Sequence, residues 1–181
     1  MSRDSSFDSV VVAGTGHRPD KLFGTYSERK YLQLVKFARI VIARYPDNYE
    51  FMSGCGLGWD QALADAALDL GHELHLAIPF EGFDARWPIA SRRHFDYIRE
   101  RATTTHIVCS PNIVDVIGVP AALDQRNRYM VGCSLFMLAL YDGVSSGGTC
   151  NCIRHAESRK VAVDNVWQKW LKFVERNKGR G

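Results

Sequence analysis

The sequence predicts an α/β protein: a single Rossmann-like domain with an open, mostly parallel sheet and helices on both faces. Three observations carry that prediction. Short apolar runs of strand length alternate with helical patterns. Each glycine-rich loop follows one of those runs. The run Leu135–Tyr141 is almost continuously apolar, as a central parallel strand buried on both faces should be.

Taken in order, residues 1–8 read as a flexible lead-in and residues 178–181 as a flexible tail, leaving residues 9–177 for the domain. Val10-Val11-Val12-Ala13 is the first strand, and it runs into Gly14-Thr15-Gly16-His17-Arg18-Pro19. From Ser27 to Tyr45, the residues Tyr31, Leu34, Val35, Ala38, Val41, Ile42 and Tyr45 recur at helical spacing, and Pro46 stops the helix. Tyr49–Met52 is a short strand leading into Ser53-Gly54-Cys55-Gly56-Leu57-Gly58-Trp59-Asp60-Gln61, followed by an alanine-rich helix from Gln61 to Leu70. Glu73–Ile78 is the third strand, ending at Pro79-Phe80, and a helix is expected over Ile89–Arg101. Thr104–Cys109 is the fourth strand. Pro111–Pro120 reads as a loop and Ala121 to about Val131 as a helix. After the fifth strand, Gly147-Gly148-Thr149 opens another helix, Lys160–Val163 suggests a last strand, and a final helix buries Trp167, Trp170, Leu171 and Val174.

Composition narrows the function classes. The 181 residues suffice for one well-buried core and are too few for two comfortable domains. A formal charge of +3 is mild and argues against a nucleic-acid binder, although Lys169 to Arg180 is locally basic. Five cysteines, an odd number without a disulfide framework, fit a reducing, cytoplasmic setting. Cys150-Asn151-Cys152 has no second pair to complete a zinc site, so no metal is expected. No apolar stretch approaches the roughly 20 residues that span a bilayer, so no membrane role is expected.

In open parallel sheets, ligands bind beyond the carboxyl ends of the strands. Three loops therefore converge on one edge. The first supplies Gly14, Thr15, Gly16, His17 and Arg18, with backbone N–H groups and a guanidinium suited to phosphate or carboxylate; an ordinary turn is its competing reading. The second supplies Ser53, Gly54, Gly56, Gly58, Asp60 and Gln61. Asp60 either caps the following helix or presents a carboxylate that holds ribose hydroxyls or acts as a base, and Gln61 could simply belong to the first turn. The third, Gly147-Gly148-Thr149, is the strongest phosphate cradle, because adjacent glycines expose N–H groups at a helix N-terminus.

Neither a P-loop nor a dinucleotide-binding Gly-x-Gly-x-x-Gly is present. Arg126 and Asn127 either form a helix-face pair and cap or reach the cleft. Phe80 and Trp87 either stack on a base or pack their loop. Asp142 ends the fifth strand, where ribose-binding or catalytic acids sit. The other histidines (His72, His75, His94, His106 and His155) share no spacing and read as structural or exposed.

Five segments occur in an order that resembles a known family: Thr15-Gly16-His17-Arg18-Pro19, Ser53-Gly54-x-Gly56-Leu57-Gly58-x-Asp60-Gln61, Pro79-Phe80, Arg126-Asn127-Arg128-x-Met130-Val131, and Tyr141-Asp142-Gly143 with Gly147-Gly148-Thr149-x-Asn151. Over about residues 9 to 165 the chain resembles the YpsA-like branch of the SLOG superfamily, which includes LOG phosphoribohydrolases and DNA-processing proteins. The resemblance implies a Rossmann-like domain that binds a nucleotide or nucleotide-derived ligand, with Asn151 among the binding residues and self-association into a dimer or larger homo-oligomer. LOG enzymes carry a catalytic glutamate in Pro-Gly-Gly-x-Gly-Thr-x-x-Glu. Here the stretch Ser146-Gly147-Gly148-Thr149-Cys150-Asn151-Cys152 keeps the glycines and lacks that acid, and Glu157 lies too far along.

Two functions follow as expectations. One is a binding module, a sensor or sequestering protein for an ADP-ribose-like compound that requires no cofactor. The other is a hydrolase or transferase at a nucleotide N-glycosidic bond, with Asp60 or Asp142 as the catalytic acid. Single-stranded DNA binding is a third, weaker reading.

Overall fold

A computed structural model describes residues 9–177. The sequence expectations for residues 1–8 and 178–181 lie outside that range. The chain runs β1 (Val10–Gly16), α1 (Pro19–Phe23), α2 (Glu28–Ile42), β2 (Tyr49–Ser53), α3 (Trp59–Asp69), β3 (Leu74–Ile78) and α4 (Ile89–Arg101). It continues through β4 (Thr104–Ile107), α5 (Pro111–Ile117), α6 (Val119–Cys133), β5 (Phe136–Leu140), α7 (Gly148–Ser158), β6 (Ala162–Asn165) and α8 (Trp167–Asn177).

The strands form one parallel sheet in the order β4-β3-β2-β1-β5-β6. Successive strands step away from β1 in one direction, and β5 returns to its other side. The topological switch point therefore lies between β1 and β5. Register leaves the end of β1 open on its β2 side. Val10–Ala13 pair with Tyr49–Met52 on one side, whereas Val12–Gly16 pair with Phe136–Leu140 on the other. The last residues of β1 thus overrun β2 and present their β2-side edge to the loop after β2.

Alternation along the strands sends successive side chains to opposite faces. Val12, Phe51, Leu74, Leu76, Ile78, Leu138 and Leu140 point into one core with α2, α3, α4 and α8. Ala13, Met52, Ala77 and Met137 point into a smaller one with Met130 and Val131 of α6 and Cys152 and Ala156 of α7. Of the expected α2 stripe, Tyr31, Leu34, Val35, Ala38, Val41 and Ile42 are buried, whereas Tyr45 lies half-buried beyond the end of the helix; Ser27 caps the helix by accepting the Lys30 N–H at 3.3 Å.

Three local expectations are corrected. Pro111–Ile117 is a helix rather than a loop; it buries no residue, so no apolar stripe announced it. Pro19–Phe23 adds a turn of helix begun by a proline at its first position. Leu171 of α8 is exposed, while Trp170 is buried against Phe23, Phe37 and Phe173. Among the described residues, no helix is long and apolar enough to cross a membrane.

Candidate functional site

Close packing of α3 on β1 shapes the floor of the cleft. A side chain on Gly14 would collide with Leu63, and a Cβ on Gly16 would lie 2.5 Å from Trp59 Cδ1. Gly58 takes a left-handed φ of 98°, and a Cβ there would stand 2.5 Å from the His17 carbonyl. The same close approach lets the Trp59 N–H donate to His17 O at 3.2 Å, tying the second loop to the first.

Direct hydrogen bonds stitch the three loops together. Arg126 donates from Nη1 to the Gly54 carbonyl at 2.7 Å and from Nε to Asn127 Oδ1 at 3.0 Å. Asn127 in turn donates from Nδ2 to the Gly148 carbonyl at 3.4 Å, and the Thr149 hydroxyl donates to Gly16 O at 2.9 Å. Thr149 therefore latches loop to loop, and its proton is already engaged.

Between these loops lies a cleft of about 300 Å³, at the small end of the range for small-molecule sites. Of the residues singled out in the sequence, Thr15, Gly16, His17, Arg18, Gly56, Asp60, Arg126, Asn127, Gly147, Gly148 and Thr149 line it. The α7 N-terminus opens into it, and a Cβ on Gly147 or Gly148 would meet no protein atom within 4 Å. Arg18, Lys21 and Arg126 border the same space, and among the described residues none of the three is held in an ion pair. Helix dipole and free cations together favour an anion.

Asp60 is the cleft's anomaly. Its Oδ1 is buried and has no hydrogen-bond partner among the described residues, and the same holds for Nε2 of Gln61 beside it. Burial pushes the Asp60 carboxyl up to about 6, against the opposing pull of Arg126, Arg18 and the backbone N–H groups of Gly56 and Gly16. An unsatisfied buried acceptor at a cleft wall suits a donor brought by a ligand.

Asp142 has a different environment. Its Oδ1 accepts the Val144 and Ser145 N–H groups at 3.0 and 2.9 Å, and its Oδ2 accepts the Ser145 hydroxyl at 2.5 Å. Although desolvation works the other way, these bonds hold its carboxyl well below the usual range. The carboxylate organises its own turn and does not line the cleft. Its backbone N–H donates to His17 Nε2 at 3.0 Å, while its Oδ1 lies 3.2 Å from the same nitrogen. That nitrogen cannot serve both. The amide is the better partner, because Oδ1 already accepts two N–H groups, and this puts the ring proton on Nδ1.

Other sequence candidates sit elsewhere. Ser53 is fully buried, donating to Asp60 O at 2.7 Å and accepting the Cys55 N–H. Gly54 lies under the Arg126 guanidinium. Phe80 packs on Phe83, which joins Trp87 and Phe95 in an aromatic cluster away from the cleft. Asn151 is exposed on α7 and does not border the space. Conversely, Asp20, Lys21, Leu57, Leu123, Ser145 and Ser146 line the cleft without having been singled out. Asp20 and Lys21 belong to α1, and recognising Pro19 as a helix start would have found them. Burial pushes the Cys152 thiol up to about 11 and the Cys55 thiol higher still, which keeps both protonated and poorly nucleophilic.

No protein-family model matches the chain. The uncharacterised SPbeta prophage-derived protein YoqJ of Bacillus subtilis (strain 168) is 29% identical over 123 residues, covering 61% of this chain and 71% of YoqJ. Among solved structures, DNA processing protein A from Streptococcus pneumoniae superposes with a TM-score of 0.57 at 22% identity, covering 86% of this chain and 49% of that one. DNA processing protein A from Helicobacter pylori, a single-stranded-DNA-binding protein, gives 0.58 at 16% identity, covering 85% and 63%. TM1055, a structural genomics target, gives 0.52 at 11% identity, covering 85% and 72%. The chain thus spans about half to two thirds of the DNA-processing proteins it resembles. These likenesses identify the fold as Rossmann-like.

Proposed function

We propose that this chain is a YpsA-like member of the SLOG superfamily that binds a nucleotide or nucleotide-derived, ADP-ribose-like molecule, acting as a sensor or sequestering module. One observation carries the reading. The N-terminus of α7, Arg18, Lys21 and Arg126 converge at the switch point between β1 and β5, around glycines with open space before them. A phosphate seats at Gly147 and Gly148, and a ribose hydroxyl donates to Asp60 Oδ1. No metal or organic cofactor is needed for binding of this kind. The free cysteines fit a cytoplasmic setting, and the resemblance favours a homo-oligomer.

A second reading rests on Asp60. A carboxyl raised to about 6 holds a proton more readily than an ordinary aspartate, as a general acid at an N-glycosidic bond would need. Against it, no second acid faces Asp60 across the cleft among the lining residues except the exposed Asp20. A third reading, single-stranded DNA binding, draws on the Helicobacter pylori protein alone and meets only mild positive charge here.

Incubation with a panel of nucleotides, nucleotide sugars and a single-stranded oligonucleotide, followed by calorimetry and chromatography, separates the three. Binding of ADP-ribose-like compounds with no base released supports the binding module. Release of free base would establish the hydrolase, and salt-sensitive retention of the oligonucleotide alone would overturn both.

A further inference from the structure

A second cluster of ligating side chains sits at the opposite, amino-terminal edge of the sheet. Glu50 lies on β2, His75 on β3, and Glu73 just before β3. Register pairs Phe51 with Leu74 and Met52 with His75, so Glu50 and Glu73 fall across from each other on the face that carries His75. One ligand atom from each of the three lies within 4.8 Å of the others. A four-coordinate ion with bonds of about 2.0–2.1 Å spaces its ligands by about 3.3 Å, which small side-chain rotations reach from this arrangement.

Two further observations point to a cation there. Like charges facing each other across a strand pair are destabilising. Yet among the described residues, neither Glu50 nor Glu73 has a lysine or arginine within ion-pair distance, and Glu50 has His75 alone. The imidazole is also held from behind by a third strand. Its Nδ1 lies 2.8 Å from Thr104 Oγ1 on β4, while Nε2 faces Glu50 Oε2 at 2.8 Å. A metal-binding histidine is oriented by a hydrogen bond at its other ring nitrogen in this way. Beside the cluster, a cavity of about 190 Å³ is lined by His106, Tyr129 and Cys133 as well as by Glu50 and His75.

We propose that Glu50, Glu73 and His75 bind one divalent first-row transition ion of the zinc class, through two carboxylate oxygens and Nε2 of His75. A mixed nitrogen and oxygen donor set suits that class better than magnesium or calcium, which take oxygen alone. The ion cancels the repulsion between the two glutamates and ties β2 to β3 at the edge remote from the cleft. Water completes the coordination on the exposed side.

Calorimetric titration of zinc chloride into chelator-treated, untagged full-length protein tests this. One equivalent of saturable binding is expected, with a rise in melting temperature. His75→Ala and Glu50→Gln should each weaken it at least about tenfold, while His155→Ala and Cys133→Ser leave it unchanged. Metal-free melting curves and circular dichroism identify any variant that has lost its fold, and Glu73→Gln on the exposed side provides an independent ligand deletion. Absence of saturable binding, or equal affinity in folded His75→Ala, would overturn the site. Loss of binding in Cys133→Ser with retention in His75→Ala would overturn it too, by moving the ion to the thiol.

Discussion

Asp60 is buried at the cleft wall with one carboxylate oxygen unpartnered among the described residues. Its carboxyl rises from 3.8 to about 6 because burial penalises the charged form more than Arg126 and Arg18 relieve it. A raised carboxyl pKa means that the folded chain binds the proton more tightly than the unfolded chain. The resulting stability is fully present below about pH 4 and is lost as pH rises through about 6, a change on the order of 3 kcal/mol. Asp60→Asn is neutral throughout, so its melting temperature should exceed that of the natural chain at pH 8 and approach it at pH 4; equal differences at both pH values would contradict this. Gly148→Asp makes the complementary test at the proposed phosphate site. Its Cβ meets open space, and a carboxylate in the first turn of α7 is favoured by the helix dipole, so the fold should hold or gain a few tenths of a kcal/mol. Binding of any phosphate-bearing ligand should disappear, and unchanged calorimetric affinity in the folded variant would refute the placement.

At the scale of elements, the sheet was legible because buried parallel strands advertise themselves by composition, and glycine-ended strands announce a turn into a helix. The α2 stripe followed from periodicity with Pro46 beyond it, and α4 occupies the expected Ile89–Arg101 although its apolar face is sparse. Helix α5 was not legible, since it buries nothing and its apolar residues Ile113 and Val116 stand exposed. The cleft was legible as three loops but not in its detail. Whether a glycine faces a ligand or a neighbouring helix depends on packing across the chain: Gly14 and Gly16 make room for Leu63 and Trp59, while Gly147 and Gly148 face open space. Asp142 had the right position for a ligand-facing acid, but its own loop captured both oxygens. The junction of the second loop with α3 depends most on Gly58. Gly58→Ala combines a positive φ with a contact of 2.5 Å to the His17 carbonyl and should cost on the order of 2–4 kcal/mol in urea unfolding; a loss below 1 kcal/mol would mean that the loop relaxes freely.

Across the whole molecule, the larger core and the cleft lining are largely separate, and the separation can be measured. Trp170 anchors α8 on the larger core and does not line the cleft, with Phe37 and Phe173 against its ring. Trp170→Ala should remove about 3–5 kcal/mol of stability by loss of burial and by the cavity left behind. Arg126 lies on the other side of the sheet and joins the loop after β2 to the pair Asn127 and Gly148. Arg126→Ala leaves the Gly54 carbonyl without that donor and withdraws a cation from the cleft, costing about 1–3 kcal/mol of stability. It should weaken nucleotide binding at least about tenfold, the loss expected of a charge-assisted hydrogen bond of about 1.5–3 kcal/mol. Ligand at a hundredfold its Kd stabilises a binding-competent chain by about 2.7 kcal/mol. That increment should survive in Trp170→Ala and collapse in Arg126→Ala when both are unfolded in urea with and without ligand. The reverse pattern would place the ligand against the α8 core, and equal increments in both variants would remove Arg126 from the binding machinery.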